Sequence, residues 1–246
     1  MPKEHWIFLS PHLDDVALSC GGLVWELCQR GKIVEIWTMM SGFPTDEDYS
    51  EFAQQNHRAW GMSGRGVIQI RRAEDRAACA FLGAAYRHFD WLDAIYRRDP
   101  GSVQPLVESN ESLFGKPPED TLVREIVQCL QVEVPDNTML VFPMGLGNHI
   151  DHRAVVQAGK DFTGTMVYYA DYPYVLENFL SITSGSPLWE KITFEITEDG
   201  LEKWQNAVFC YSSQIGAFWR DPEEMKLSLR NYLAGGGGRL WQEVEN

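Results

Sequence analysis

The chain has 246 residues, 44% hydrophobic and 23% charged, which is enough apolar material for a sizeable core and too much for a disordered chain. Its 35 Asp and Glu against 21 Lys and Arg give a net charge of −14, which repels phosphate backbones and anionic headgroups and argues against nucleic-acid or membrane-surface binding. No apolar stretch approaches the ~20 residues that cross a bilayer, the opening Met1-Pro2-Lys3-Glu4-His5 lacks signal-peptide organisation, and the five cysteines form no Cys-x-x-Cys pair and read as reduced core residues, so a cytoplasmic protein is expected.

In chain order, the apolar run His5 to Ser10 reads as a buried strand ending at Pro11. Asp15 to Arg30 reads as a helix stopped by Gly31, and the pair Gly21-Gly22 inside it implies that another backbone passes close by. Ile33 to Met40 is the next strand, which completes a strand, helix, strand unit of about 35 residues and predicts a parallel sheet. Residues Ser41 to Gly66 break into Gly, Pro, acidic and aromatic residues, a loop too long to be a simple turn. Its Phe43, Tyr49 and Trp60 are read as loop packing in preference to sugar contacts. Helices follow over Arg71 to Leu82, stopped by Gly83, and over Thr121 to Val132. The strand Thr138 to Phe142 leads into a helix from about Asp151 to Phe162, and strands are expected at Thr165 to Ala170 and Ile192 to Ile196. Leu201 to Phe209 forms a helix, and Asp221 with Pro222 starts the last one. The Gly235 to Gly238 run is too short to separate domains, so one domain over 1–246 is expected.

Two clusters carry chemistry: Ser10-Pro11-His12-Leu13-Asp14-Asp15 after the first strand, and Asn148-His149-Ile150-Asp151-His152 after a later one. Both fall at strand C-terminal ends, the edge where open parallel sheets bind ligands. Two imidazoles and a carboxylate make a three-ligand set that leaves a position for water, as a catalytic zinc requires. His12, Asp15 and His152 have that composition, and Asp14 stands beside them as acceptor for the water's proton; spacing alone does not decide between the two carboxylates. His149 lies one helical turn before His152, on the same face, as a group to polarise a carbonyl, stabilise an oxyanion or protonate a departing amine. Read singly, a histidine at a strand end is a structural residue and adjacent aspartates before a helix are caps. It is the recurrence of such groups at one sheet edge that favours a metal site.

The pattern resembles the PIG-L or LmbE-type superfamily of zinc-dependent N-deacetylases. Its His-x-Asp-Asp cluster is matched by His12-Leu13-Asp14-Asp15, and its later His-x-x-His by His149 to His152. The resemblance implies a Rossmann-like α/β domain, a mostly parallel sheet flanked by helices. It implies zinc held by His12, Asp15 and His152, with Asp14 as base and His149 as oxyanion or acid residue. Weaker echoes are Arg71-x-x-Glu74, which places Arg71 near substrate but reads equally as a surface ion pair, and Asp90-Trp91-Leu92-Asp93, which places Asp93 there. Tyr169 to Tyr174 and Tyr211 to Gln214 resemble later family segments whose polar groups can line the pocket, though buried aromatics with satisfied hydroxyls are the commoner reading. The expected activity is release of acetate from an N-acetylated amino-sugar conjugate, a small-molecule partner; a homo-oligomer is left open. Competing readings are a non-catalytic zinc or sugar-binding protein, a different metal-dependent amidase on the same fold, and a non-haem iron oxygenase using the same ligand types.

Overall fold

The computed structural model describes residues 4–45, 47–178 and 188–244. Strand β1 (His5–Ser10) lies inside the sheet, with Trp6 and Phe8 packed on one face and Ile7 and Leu9 on the other. A strand covered on both faces has no reason to alternate polar and apolar residues, which is why HWIFLS reads as a continuous apolar run. It pairs in parallel with β2 (Ile33–Thr38) and β4 (Thr138–Pro143). Beyond β2 lies β3 (Ala85–His88), and beyond β4 lies β5 (Met166–Tyr169), again parallel. β7 (Leu240–Val244) and β6 (Leu188–Ile192) finish the other edge antiparallel, giving the order β3-β2-β1-β4-β5-β7-β6.

Helices cover both faces. On the Trp6 and Phe8 face pack α1 (Asp15–Gln29), α3 (Gly66–Leu82) and α7 (Glu198–Phe209). On the Ile7 and Leu9 face pack α5 (Asp120–Glu133) and α6 (Ile150–Asp161). The shorter α2 (Glu51–Ala59), α4 (Asn110–Gly115) and α8 (Ser212–Phe218) sit in the connections, and α9 (Pro222–Ala234) starts from the Asp221 N-cap with Pro222 in its first turn. The chain leaves β1 toward one edge and β4 toward the other. The crevice between their C-terminal ends is the switch point where doubly wound sheets bind ligands.

Several expectations are corrected. What approaches Gly21 and Gly22 is the ring of Trp204 and not a backbone: a Cβ on Gly21 would stand 2.6 Å from the indole, and one on Gly22 2.9 Å. The indole Nε1 donates to the Ala17 carbonyl that a straight helix would give to Gly21, and α1 is kinked at Cys20. The stretch Ser41 to Gly66 is not one loop, because Ser50 caps α2 within it by accepting from Ala53 N. The strand expected at Ile192 to Ile196 lies earlier, at Leu188–Ile192. No helix among the described residues is long and apolar enough to cross a membrane. All five cysteines are free, and Cys20 and Cys79 are buried.

Candidate active site

The turn from β1 into α1 carries the first cluster. Ser10 Oγ donates to the His12 carbonyl at 2.6 Å and accepts from Val16 N at 3.3 Å, which stitches the turn across itself. Asp14 sits at the N-cap of α1 with φ 139°, outside the ordinary range of a residue with a side chain, and makes no capping hydrogen bond. Such a conformation costs about 1–3 kcal/mol and is held by its surroundings. Its effect is to release the Asp14 carboxylate from the helix end and aim it into the crevice, so the simple capping reading does not hold for it.

The loop from β4 into α6 carries the second cluster. Gly147 has φ 83°, and a Cβ there would strike the Tyr174 ring at 2.5 Å, so only glycine lets this loop fold against that wall. His149 is the N-cap of α6 and not part of its first turn, yet its ring still meets that of His152, with centroids 5.3 Å apart. The ring of His12 lies 4.7 Å from that of His149 and 5.3 Å from that of His152. The two distant clusters therefore share one site.

Hydrogen bonds decide which way each imidazole faces. An ionised carboxylate only accepts, so the nitrogen it meets must carry the proton. His12 Nε2 donates to Asp151 Oδ2 at 2.9 Å, and Nδ1 is left 3.5 Å from Asp15 Oδ2. His152 Nδ1 donates to Asp171 Oδ1 at 2.6 Å, and Nε2 is left 3.4 Å from the same Asp15 oxygen. That oxygen also accepts the His12 backbone N–H at 2.7 Å. His149 is the reverse case: its Nδ1 accepts from Asp151 N at 3.2 Å, so the neutral ring carries its proton on Nε2. Asp151 is itself held by the Ala94 N–H at 3.0 Å and by Arg97, whose Nη2 stands 2.6 Å from Oδ1 as an ion pair without hydrogen-bond geometry.

Electrostatics follow from burial and these neighbours. Burial disfavours the charged form of His152, but Asp15 and Asp171 outweigh it and raise its pKa to about 10. His12 is likewise raised against burial by Asp93, Asp15 and Asp151. Asp15 is held low by the two imidazoles although burial opposes it. Burial pushes the Asp14 carboxyl up to about 7, with the Arg71 guanidinium pulling the other way. His149 is lowered by burial and by the positive His12 beside it, so it stays neutral.

Arg71 and Asp93, expected from sequence, line the same cavity of about 220 Å³ as the cluster. Arg71 is buried, donates to the Leu13 carbonyl at 3.0 Å and reaches Asp14 Oδ2 at 3.4 Å, so the surface ion pair with Glu74 is not formed. Glu74 instead receives Ser212 Oγ, Ser213 N and Ser213 Oγ at the start of α8. Asp93 caps a short 3₁₀ turn through Ile95 N, and its other oxygen lies 3.8 Å from His12 Nε2. Of the three loop aromatics, Trp60 lines the cavity and carries the Arg71 guanidinium over its ring at 4.9 Å, contrary to the packing expectation. Phe43 packs on Arg72 and Tyr49 on His57 and Tyr96, in keeping with it. Asn56, Asn110, Phe114, Tyr174, Gln214 and Phe218 are among the other wall residues. A larger cavity, about 450 Å³, lies against Tyr172, Tyr232 and Trp241, but no His, Asp or Glu among the described residues lines it.

Sequence reasoning did not single out Asp151 and Asp171 for what they do. The signal for Asp151 was present, a carboxylate between the two histidines of the second cluster. Asp171 lies in a segment expected near the pocket, but its bond to His152 is purely tertiary.

The chain resembles a 2'-N-acetylparomamine deacetylase of Niallia circulans, 29% identical over 94% of this chain and 88% of that one. Its fold matches a teicoplanin deacetylase solved in a zinc-inhibited form, at 25% identity and TM-score 0.74, covering 98% of each chain. The fold alone is shared with a 4-carboxy-2-hydroxymuconate hydratase of Pseudomonas putida, 17% identical with TM-score 0.58, covering 99% of each chain. The hydratase is a reminder that this architecture serves more than one reaction. The sequence model described as GlcNAc-PI de-N-acetylase matches residues 7–163, the stretch that holds both clusters. The chain belongs to this family, PIG-L.

Proposed function

We propose that the chain is a metal-dependent N-deacetylase that hydrolyses the acetamide of an N-acetylated amino sugar, with the metal held by His12, Asp15 and His152. The observation that carries the reading is the pair of imidazoles whose outer nitrogens are bonded to buried carboxylates, while their inner nitrogens face one oxygen of Asp15. Outer carboxylates of this kind fix the ring, set the tautomer and raise the basicity of a metal-binding histidine. Carboxylates crowd the imidazoles, and the two neighbouring guanidiniums stand against other carboxylates, Arg71 at Asp14 and Arg97 at Asp151, so a divalent cation fits the donor chemistry left at Asp15. One nitrogen each of His12, His149 and His152 also lies within 4.8 Å of the others, an overlapping donor set. The Asp15 set is preferred because no carboxylate backs His149. Two nitrogens and one carboxylate oxygen suit zinc.

When bound, such an ion acidifies water and polarises an acyl oxygen. The chain's own groups supply the rest. Asp14, buried and unattached to the helix it precedes, accepts the proton of the attacking water; a carboxyl displaced toward neutrality is well matched to that task. Neutral His149 offers Nε2–H to the acyl oxygen as negative charge develops there. Arg71 holds Asp14, and Asp93 and Trp60 border the space for the sugar. The reading treats the chain as one domain, supported by a sheet whose strands run from His5 to Val244.

The test is acetate release from a panel of N-acetylated amino sugars by zinc-loaded and metal-stripped protein. Metal-dependent release from at least one is expected. Sugar binding with no release from any would favour a binding protein instead.

A further inference from the structure

One wall of the site cavity, made by Gln214, Ala217 and Phe218, comes from α8. Those positions stand at i, i+3 and i+4, so they share a face of the helix. Seven residues are too few for a helix to hold itself in water. Within α8, Gln214 is the one buried residue, and Gly216, Ala217 and Phe218 are exposed. The buried rings of Tyr211 and Trp219 anchor the chain on either side, Tyr211 through its hydroxyl to Asp75 Oδ1 at 2.7 Å and Trp219 stacked on Tyr172. Neither ring belongs to the helix, so neither decides which face α8 turns to the cavity. Glu74 on α3 does. Its Oε1 accepts from Ser212 Oγ at 2.8 Å and Ser213 N at 2.9 Å, and its Oε2 from Ser213 Oγ at 2.6 Å. The proton of Ser213 Oγ being given to Glu74, that oxygen accepts from Gln214 Nε2 at 2.9 Å, which ties the first wall residue to the same carboxylate.

The other end of the link is also on α3. Arg71, one turn before Glu74, donates to the Leu13 carbonyl and reaches Asp14 Oδ2. One helix therefore spaces the α8 wall from the proton acceptor. Glu74 is buried but is not among the residues lining the cavity, so whatever it does for a substrate it does through α8. Building on the deacetylase reading, we infer that Glu74 is a positioning residue for substrate recognition: its carboxylate fixes the first turn of α8 and so presents Gln214, Ala217 and Phe218 to the sugar. The metal ligands, Asp14 and His149 do not depend on these bonds. Wall contacts of this kind hold substrate and transition state alike, so their loss appears in KM and not in kcat.

Zinc-loaded parent and variants are given N,N'-diacetylchitobiose and N-acetylglucosamine, and acetate release is followed. Glu74→Ala removes all three acceptors. KM is expected to rise about tenfold, the worth of one well-made contact to the sugar, with kcat within about threefold and zinc content unchanged. Glu74→Gln keeps one oxygen for Ser212 and Ser213 N, and the Ser213 hydroxyl can turn to accept from the new NH2, so this variant recovers part of the loss. Hydrogen exchange of the amides of residues 214–218 quickens in Glu74→Ala, while that of α1 and α6 does not. Should Glu74→Ala fail to fold, the double variant Ser212→Ala with Ser213→Ala, which leaves the carboxylate and the Ser213 N–H, carries the same KM test. A KM within twofold of the parent, a rise in KM that Glu74→Gln does not lessen, or a fall in kcat at constant KM overturns the inference while the hydrolase reading stands. If the parent releases acetate from neither sugar, the hydrolase reading fails. Calorimetric binding of N,N'-diacetylchitobiose across the same variants then decides the inference, and affinity unchanged in Glu74→Ala, or no binding by the parent, overturns it.

Discussion

Replacing Asp171 with Asn tests whether a buried carboxylate behind His152 builds a metal ligand. Asp171 is buried and spends both oxygens: Oδ1 accepts from His152 Nδ1 at 2.6 Å and Oδ2 from Leu146 N at 3.1 Å. Asparagine has one acceptor atom, so either the imidazole or the Leu146 N–H faces an NH2 group instead of an oxygen. The unmatched donor costs about 1–3 kcal/mol of stability, which for a chain of this size lowers the melting temperature by about 2–4 °C per kcal/mol. Separately, the ring loses the charge that fixes its tautomer, and metal affinity falls by about 10–100-fold, or about 1.4–2.7 kcal/mol. Chelator competition measures the second quantity, and melting with and without zinc separates it from the first. A variant that binds zinc within threefold of the parent would refute the reasoning, whatever its stability.

Asp14→Asn keeps the ligands and removes the proton acceptor, so zinc binding persists while kcat drops by about 10²–10⁴-fold, as acetate release will report. A carboxyl accepts a proton only when ionised, and burial has moved that of Asp14 up to about 7 in the metal-free protein. Activity is therefore lost as pH falls, and the acidic limb of kcat/KM lies at or below pH 7 because a bound dication favours ionisation; the limb is absent from residual Asp14→Asn activity. His149→Leu lowers kcat by about 10²–10³-fold with zinc content unchanged, since one donor to the developing oxyanion is lost. Chelation lowers the melting temperature, since a ligand at 100 times its Kd stabilises the folded state by about 2.7 kcal/mol.

The sequence was most legible where local pattern and tertiary role agree. HWIFLS is apolar because both its faces are covered, and the helix beginning at Asp15 is apolar nearly all round because α3, α7 and the sheet enclose it. Both clusters stand out because histidines and aspartates are concentrated at strand ends. Four-residue β3, with Ala85 and Tyr86 exposed at the sheet edge, has too little pattern to read. β7 is set by the close packing of the Gly235 to Gly238 turn on Tyr232 and Trp204, which no local signal announces. Arg71 and Glu74 suggest an i,i+3 pair by spacing, yet each has a partner far along the chain, Asp14 for one and Ser213 for the other. Asp151 in the first turn of α6 looks like a residue answering the helix dipole. Only the folded chain brings His12 and Arg97 against it.

Crystals of the zinc-loaded protein, measured at the zinc absorption edge, would place the ion directly. A single strong anomalous peak bonded to His12 Nδ1, Asp15 and His152 Nε2 is the expected result. A peak elsewhere, or no peak after zinc loading at neutral pH, would contradict the account.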